Sequence, residues 1–299
     1  MRICVTILVA CFLFAATTSA RALAQPNKSI SGEGDQPVTA ETGWQKVFRE
    51  MAGEYEISSA DSPRRACSLR TTPVLRWNQP VRGGDDGAVY VWLDNGRPAA
   101  IGTVFAWPLP DGDRVVTHEM HALAVKSLSA KYKGQEVWTV AKPALEFKPA
   151  SNTLAPAESA PQRLAQIRAL GREFAAKAVD QKEGSWELRL LGQPLYRYEL
   201  KDDPDLLDGA VLAFVQGTDP EILLILEARR YSKQVRWEYA LARFSDMRLF
   251  VQHNNVEVWN APVSTPNDSK APYFARNVEQ RKPLAKQAEN KNKEEPGNE

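Results

Sequence analysis

The chain has 299 residues, with 38 Lys and Arg against 37 Asp and Glu, a net charge of +1. That balance excludes a global field for recruiting nucleic acid or an anionic membrane. A hydrophobic fraction of 43 % with 8 Trp is ample for packed cores, and the length allows one large or two small domains.

Arg2, the apolar run Ile3 to Ala16 and the small-x-small pattern Ala22-Leu23-Ala24 predict a signal peptide over 1–24, cleaved after Ala24, and an extracytoplasmic (periplasmic or secreted) protein. Leu8-Val9-Ala10-Cys11 resembles a lipobox, but the apolar run continues past Cys11. Cys4 and Cys11 fall in the signal, so Cys67 has no partner for an intramolecular disulfide and is read as a small buried hydrophobe. No later segment has the 18 or more apolar residues of a spanning helix.

Residues 25–41 are Pro, Gly, Ser and charge without periodicity, which predicts a disordered linker. Thr42-Gly-Trp-Gln45 has the form of a capping box, followed by Trp44, Phe48, Met51 and Tyr55 on one helical face. Ser159-Ala-Pro-Gln162 repeats the box, and Leu164, Ile167, Leu170 and Phe174 repeat the face. The strongest signal lies between and after these helices. Asp86-Gly-Ala-Val to Trp107 and Asp208-Gly-Ala-Val to Arg229 align without a gap as two apolar hairpins, with Asp-Gly read as turn chemistry. Pro73-x-x-Arg76-Trp77 answers Pro194-x-x-Arg197-Tyr198, Glu119 is matched to Glu238 or, one residue off, to Trp237, and Trp138 answers Trp259. All of these are about 120 residues apart.

An internal duplication of class α+β follows. Unit 1 spans 42–146 and unit 2 spans 159–265, each one helix followed by a curved antiparallel sheet of about five strands, packed with pseudo-twofold symmetry across a joint at 147–158. Val89, Val91 and Leu93 alternate with Ala88, Tyr90 and Trp92, and Ile222, Leu224 and Leu226 with Leu223 and Ile225. Both faces of these strands are apolar, so one must meet the helix and the other the sister unit or a pocket. Residues 266–299 are read as a disordered charged tail.

The chemistry is thinner. His118-Glu119-Met120-His121 lacks metalloprotease spacing, and in a strand His118 and His121 point to opposite faces, so no metal is assigned. Acidic turns such as Asp202, Asp203 and Asp205 could take calcium, without the spacing of an EF-hand loop. Glu119 with His118 or His121 could act as acid and base in a hydrolase or isomerase. The alternative makes Arg76 to Glu119 and Arg197 to Glu238 strand-orienting contacts. Arg76, Trp92, Arg197, Trp237 and Glu238 are the candidate ligand-binding residues, with the tryptophans equally readable as core. No phosphate loop, nucleophile elbow or cofactor signature is present, and no cofactor is expected.

The signal peptide, the Asp-Gly-Ala hairpin, His-Glu-x-His and Asp208-Gly-Ala-Val-x-Ala-Phe-Val-Gln-Gly-Thr-Asp-Pro-Glu221 together resemble a family of uncharacterised exported proteins of planctomycete-type bacteria, over roughly Trp44 to Trp259. The resemblance implies an exported setting and no catalytic residues. A helix with a curved sheet also resembles cystatin-like or NTF2-like cones at the level of fold. The function expected is a non-catalytic module binding a small ligand or an envelope protein, with no nucleic acid involved. The hydrolase or isomerase and an envelope-assembly scaffold are the alternatives.

Overall fold

The structure is a computed structural model and describes residues 43–59, 64–79, 85–151, 153–180, 184–232, 234–265 and 267–283. The signal peptide, the linker, the Thr42 cap and residues 284–299 lie outside the described residues. In chain order the N-terminal half contains helix α1 (Gly43–Gly53) and strands β1 (Tyr55–Ser59), β2 (Ser68–Leu69), β3 (Leu75–Gln79), β4 (Asp85–Asp94), β5 (Arg97–Pro108), β6 (Arg114–Ala122), β7 (Leu128–Tyr132) and β8 (Gln135–Val140). After β9 (Lys148–Pro149), the C-terminal half contains α2 (Ala160–Gly171), β10 (Phe174–Asp180), β11 (Gly184–Leu190), β12 (Tyr196–Tyr198), β13 (Leu206–Gln216), β14 (Asp219–Tyr231), β15 (Gln234–Arg243), β16 (Arg248–His253) and β17 (Val256–Ala261). β18 (Tyr273–Arg281) follows. The fold is mostly antiparallel sheet with two helices among the described residues. None of the helices is long and apolar enough to cross a membrane.

Each half has more strands than the five expected, arranged in the same order. In the N-terminal half β18-β6-β5-β4-β2 form one sheet, with β3 also on β4, and β1-β7-β8 form another; an isolated bridge, Ser58 to Ala66, connects the two. In the C-terminal half the corresponding path is continuous: β17-β16-β10-β11-β13-β14-β15-β9, with β12 on β13. Two expectations change here. The joint contributes β9, which pairs with β15 through Pro149 and Lys148. Within the stretch read as a tail, β18 pairs along β6 from Tyr273 opposite His121 to Arg281 opposite Arg114. Charge and proline count masked its consecutive Tyr273, Phe274 and Ala275, all buried.

The two-sided strands divide as their alternation requires. Ala88, Tyr90 and Trp92 pack with Phe48 and Met51 of α1 in one core, and Leu212, Phe214, Ile222, Leu224 and Leu226 pack with Ile167 and Leu170 of α2 in a second. Val89, Val91 and Ile101 turn the other way and meet Val211, Ala213, Leu223 and Ile225 in a third core between the sheets. Helices this short are marginal alone. Burying a side chain such as Phe48 or Met51 contributes about 1.5–3 kcal/mol and holds them in place. Tyr55 and Phe174, read as helical, begin β1 and β10 after the helices end at Gly53 and Gly171, yet still face the same two cores. Ser159 does stand at the N-cap of α2, but its hydroxyl goes to Gln162 Oε1 at 2.8 Å and makes no capping bond to the backbone.

Asp-Gly is not a turn in either hairpin. Gly87 and Gly209 lie inside β4 and β13 and are absent from the positive-φ glycines. Each lies beneath an aromatic ring of the neighbouring strand: a Cβ would fall 2.3 Å from the Trp77 ring at Gly87 and 2.3 Å from the Tyr198 ring at Gly209. The missing side chain, not the free backbone, is what these positions use. The true turns are Asn95-Gly96, with φ of 50° and 87°, and Gly217-Thr218, with Gly217 at φ 62°. Positive φ at these central positions suits tight hairpins that follow the strand twist.

Candidate functional site

The hairpin turns bring the halves together reciprocally. Gly96 accepts a hydrogen bond from Tyr196 Oη at 3.2 Å beside Leu200, both in the C-terminal half. On the other side Thr218 Oγ1 donates to Asn78 O at 2.6 Å and accepts from Asn78 N at 3.1 Å, and Gln79 Nε2 donates to Gln216 O at 3.0 Å. Next to Gly96 a buried carboxylate, Glu227, takes hydrogen bonds from Arg97 of the N-terminal half, from Tyr198 Oη at 2.7 Å and from Arg229 Nε at 2.8 Å. Arg229 also reaches Asp203 at 3.0 Å. A fully buried carboxylate is tolerable only when its lone pairs are filled this way.

Above this cluster opens a pocket of about 370 Å³. Pro98, Ala99, Ala124 and Leu128 form its wall in the N-terminal half, and Leu200, Asp202 and Asp203 close it from the C-terminal half. Its volume is in the range of small-molecule sites. Most of the charge around it is committed: Arg65 to Asp94 at 3.1 Å, Arg97 to Glu227, and Asp203 to Arg229. Lys126 and Asp202 are the lining charges outside those pairs. Cys67, half-buried here, has its thiol pushed up to about 11, chiefly by burial and further by Asp94. It is a neutral lining atom at physiological pH, not an activated nucleophile.

The sequence-derived candidates do not gather at this pocket. Trp92 and Trp237 are core residues, 1 % and 2 % exposed. Arg76 is exposed on β3. The expected Arg-to-Glu contacts are replaced by others. Arg197 binds Asp208 through Nε at 2.8 Å and through Nη2, while Arg163 Nε binds the same carboxylate at 2.9 Å. Glu238 instead accepts from Arg236 Nη2 at 2.7 Å and Tyr231 Oη at 2.7 Å. The reason is register: Arg197 lies opposite Ala210 on β13, two strands away from β15. Of the acidic turn residues, Asp203 pairs with Arg229 at 3.0 Å, and no group of three metal-ligating side chains occurs among the described residues.

The His-Glu-x-His run splits across the sheet. His118 turns into the α1 core, fully buried, with its Nδ1 2.9 Å from Tyr55 Oη, and burial lowers its pKa to about 3. Glu119 and His121 face the other way. Both histidines are buried, His118 beneath Tyr55 and Tyr132 and His121 on the opposite face of β6. His121 Nδ1 donates to Ala122 O at 2.7 Å, and burial lowers its pKa to about 4. Glu119 lines a separate cleft of about 370 Å³ with Phe105, Trp107, Asp246 and Tyr273. Burial pushes its carboxyl up to about 8 despite a hydrogen bond from Tyr273 Oη, with Glu221 and Asp246 raising it further. That direction keeps the proton on the carboxyl toward neutral pH, but His118, on the opposite face of β6, is on the wrong side to serve as its base.

Arg97, Leu200 and Asp203 escaped the sequence reading because pocket residues from loops far apart show no local pattern. One signal was legible: Arg97-Pro98 follows the Asn-Gly turn, so hairpin geometry alone places Arg97 at the tip where the halves meet. Comparison of the chain with protein-family models, curated proteins and solved structures finds no match.

Proposed function

We propose that the protein is an exported binding module made of two copies of one helix-and-sheet unit, related by a pseudo-twofold axis, which holds a small, mostly apolar ligand with one polar end in the pocket between them. The duplication reading draws on the matching strand order and on the reciprocal seating of each hairpin turn on the other half's β3 or β12. The resemblance to exported planctomycete-type proteins supplies the cellular setting. The observation that carries the ligand reading is the pocket wall itself: apolar side chains from both halves, with most of the flanking charges paired and Lys126 and Asp202 left at its edge for a polar end.

A thermal-shift and calorimetric series of medium-chain carboxylates, aliphatic alcohols and aromatic alcohols tests it. Saturable binding should appear in the native chain and vanish in Leu200→Trp, which fills the pocket from its half-exposed wall, with the unliganded melting temperature unchanged. Failure of every member of the series to bind the native chain removes the proposal. A second reading, a hydrolase or isomerase, is favoured by one arrangement, Glu119 in a cleft beneath the Tyr273 hydroxyl with its carboxyl pushed up by burial. The two separate cleanly, because Glu119→Gln abolishes any turnover at that cleft and leaves binding at the pocket intact.

A further inference from the structure

Four polar atoms in the α1 core have no hydrogen-bond partner although each is buried: Trp92 Nε1, His118 Nε2, Tyr132 Oη and Arg276 Nε. They belong to one cluster. The Tyr55 ring lies 5.8 Å from Trp92, 5.5 Å from His118 and 4.8 Å from Tyr132, and the His118 and Tyr132 rings are 5.1 Å apart. Arg276, from β18, stands 5.4 Å from the Tyr132 ring centre and is a hydrogen-bond donor to Tyr55. Buried polar atoms in native proteins are nearly always satisfied, so four together require an account.

Their chemistry is one-sided. With a cation at the Tyr55 oxygen, the phenol proton points to His118 Nδ1, and the His118 proton therefore sits on Nε2. Trp92 Nε1, His118 Nε2 and Arg276 Nε are then donors without acceptors, and the Tyr132 hydroxyl can be a fourth. A water oxygen accepts two hydrogen bonds and would bring two further donors of its own; an anion accepts all four. On the His118 side the potential agrees in sign, since Arg276 and Lys133 both disfavour a positive charge there, while Glu279 and Glu54 oppose an anion on the Tyr132 side, where Arg276 and Arg281 favour one.

We propose that the N-terminal half binds a small oxyanion or halide of the carboxylate or chloride class inside its helix-and-sheet core, held by His118 Nε2–H, Trp92 Nε1–H, the Tyr132 hydroxyl and Arg276. The C-terminal half shows what the alternative looks like. There Phe174, Tyr239 and His253 form the matching aromatic cluster, with ring centres 4.3 Å apart for Phe174 and His253, and His253 Nε2–H donates to Glu173 Oε2 at 2.9 Å. That half carries its own carboxylate; the other leaves the acceptor to be supplied.

The test uses the full chain. Crystals soaked in bromide are examined for an anomalous peak, and the His118 side-chain Nε2–H resonance of 15N-histidine-labelled protein is titrated with formate at constant ionic strength. The expected results are one bromide within hydrogen-bond distance of His118 Nε2 and a saturable formate shift, weakened roughly tenfold or more in Arg276→Gln. His118→Phe, which can pack among the same rings, should lose the bromide peak with its circular dichroism preserved. Titration with butyrate and hexanoate separates the sources: equal affinity to formate means a free anion, and rising affinity means the carboxylate end of a longer ligand. Density for ordered water alone in bromide-soaked crystals, or a formate shift of the same affinity in Arg276→Gln, overturns the proposal.

Discussion

The two halves carry the same strand order, yet they place their charged groups in opposite layers. In the C-terminal half Asp208 is completely buried between Arg163 and Arg197, and these arginines also tie to Ala157, Glu158 and Ala160 at the start of α2. In the N-terminal half Asp86, at the same place in its hairpin, is half-exposed and pairs with Arg114 at 3.5 Å. The inner cores are reversed in turn: the C-terminal one closes its imidazole with Glu173, while the N-terminal one keeps unfilled donors around His118. An architecture of two-sided apolar strands fixes where side chains point but not which of them is charged. One half can therefore put its polar groups into clamping a helix while the other leaves them in the core.

The largest effect should come from removing β18, the edge strand of the N-terminal half. A chain ending at Ser264 loses β18, stripping Tyr273 and Phe274 from the core and exposing the backbone of β6 along its length. An open apolar edge of that kind pairs with other copies. Light scattering should show aggregation, and a monomer with native circular dichroism would mean that β18 is peripheral.

Next is the buried carboxylate. Asp208→Asn leaves two guanidiniums around a neutral amide and should cost about 3–5 kcal/mol in urea unfolding. Asp86→Asn, at the exposed counterpart, should cost about 0–1 kcal/mol. Equal losses would erase the contrast between the halves. The glycines beneath the rings should behave alike: Gly87→Ala and Gly209→Ala each force an aromatic ring to move and should cost about 1–3 kcal/mol. Because Tyr198 also donates to Glu227, its displacement should be the more damaging of the two, and Tyr198→Phe should narrow the gap.

What the sequence could disclose follows from the same division. The paired hairpins, the helices before them and the two apolar faces of β4 and β14 were readable because alternation and turn residues are local. Register was not. The backbone hydrogen bonds Leu123 N to Ala99 O and Phe244 N to Glu221 O place Glu119 against Ala240 and Thr117 against Glu238. Matching Glu119 to Glu238 was a slip of two residues, which preserves the face and so violates no pattern. β9 and β18 were missed for a related reason, since an edge strand borrowed from another part of the chain has no partner nearby in sequence. The pocket was invisible for the reason that loops leave no period.

The last expected effect depends on pH and concerns Glu119, whose counterpart position holds the buried and uncharged Ala240. Its carboxyl is raised from 4.5 to about 8, so the folded state prefers the protonated form. Its contribution to stability is complete below pH 4.5 and is lost as pH rises through 8. The histidines run the other way: lowered from 6.5 to about 3 and about 4, His118 and His121 contribute stability above pH 6.5 that is lost as pH falls. Between pH 4.5 and 6.5 these opposed slopes overlap, and from 6.5 to 8 Glu119 acts without the histidines. Glu119→Gln keeps an acceptor for the Tyr273 hydroxyl and removes the ionisation. Urea midpoints at pH 5, 6.5 and 8 should therefore show little difference between variant and native chain at pH 5 and a variant progressively more stable toward pH 8. Parallel profiles across all three values would mean that Glu119 ionises freely in its cleft, and the reading of that carboxyl as a proton donor at neutral pH would fall with it.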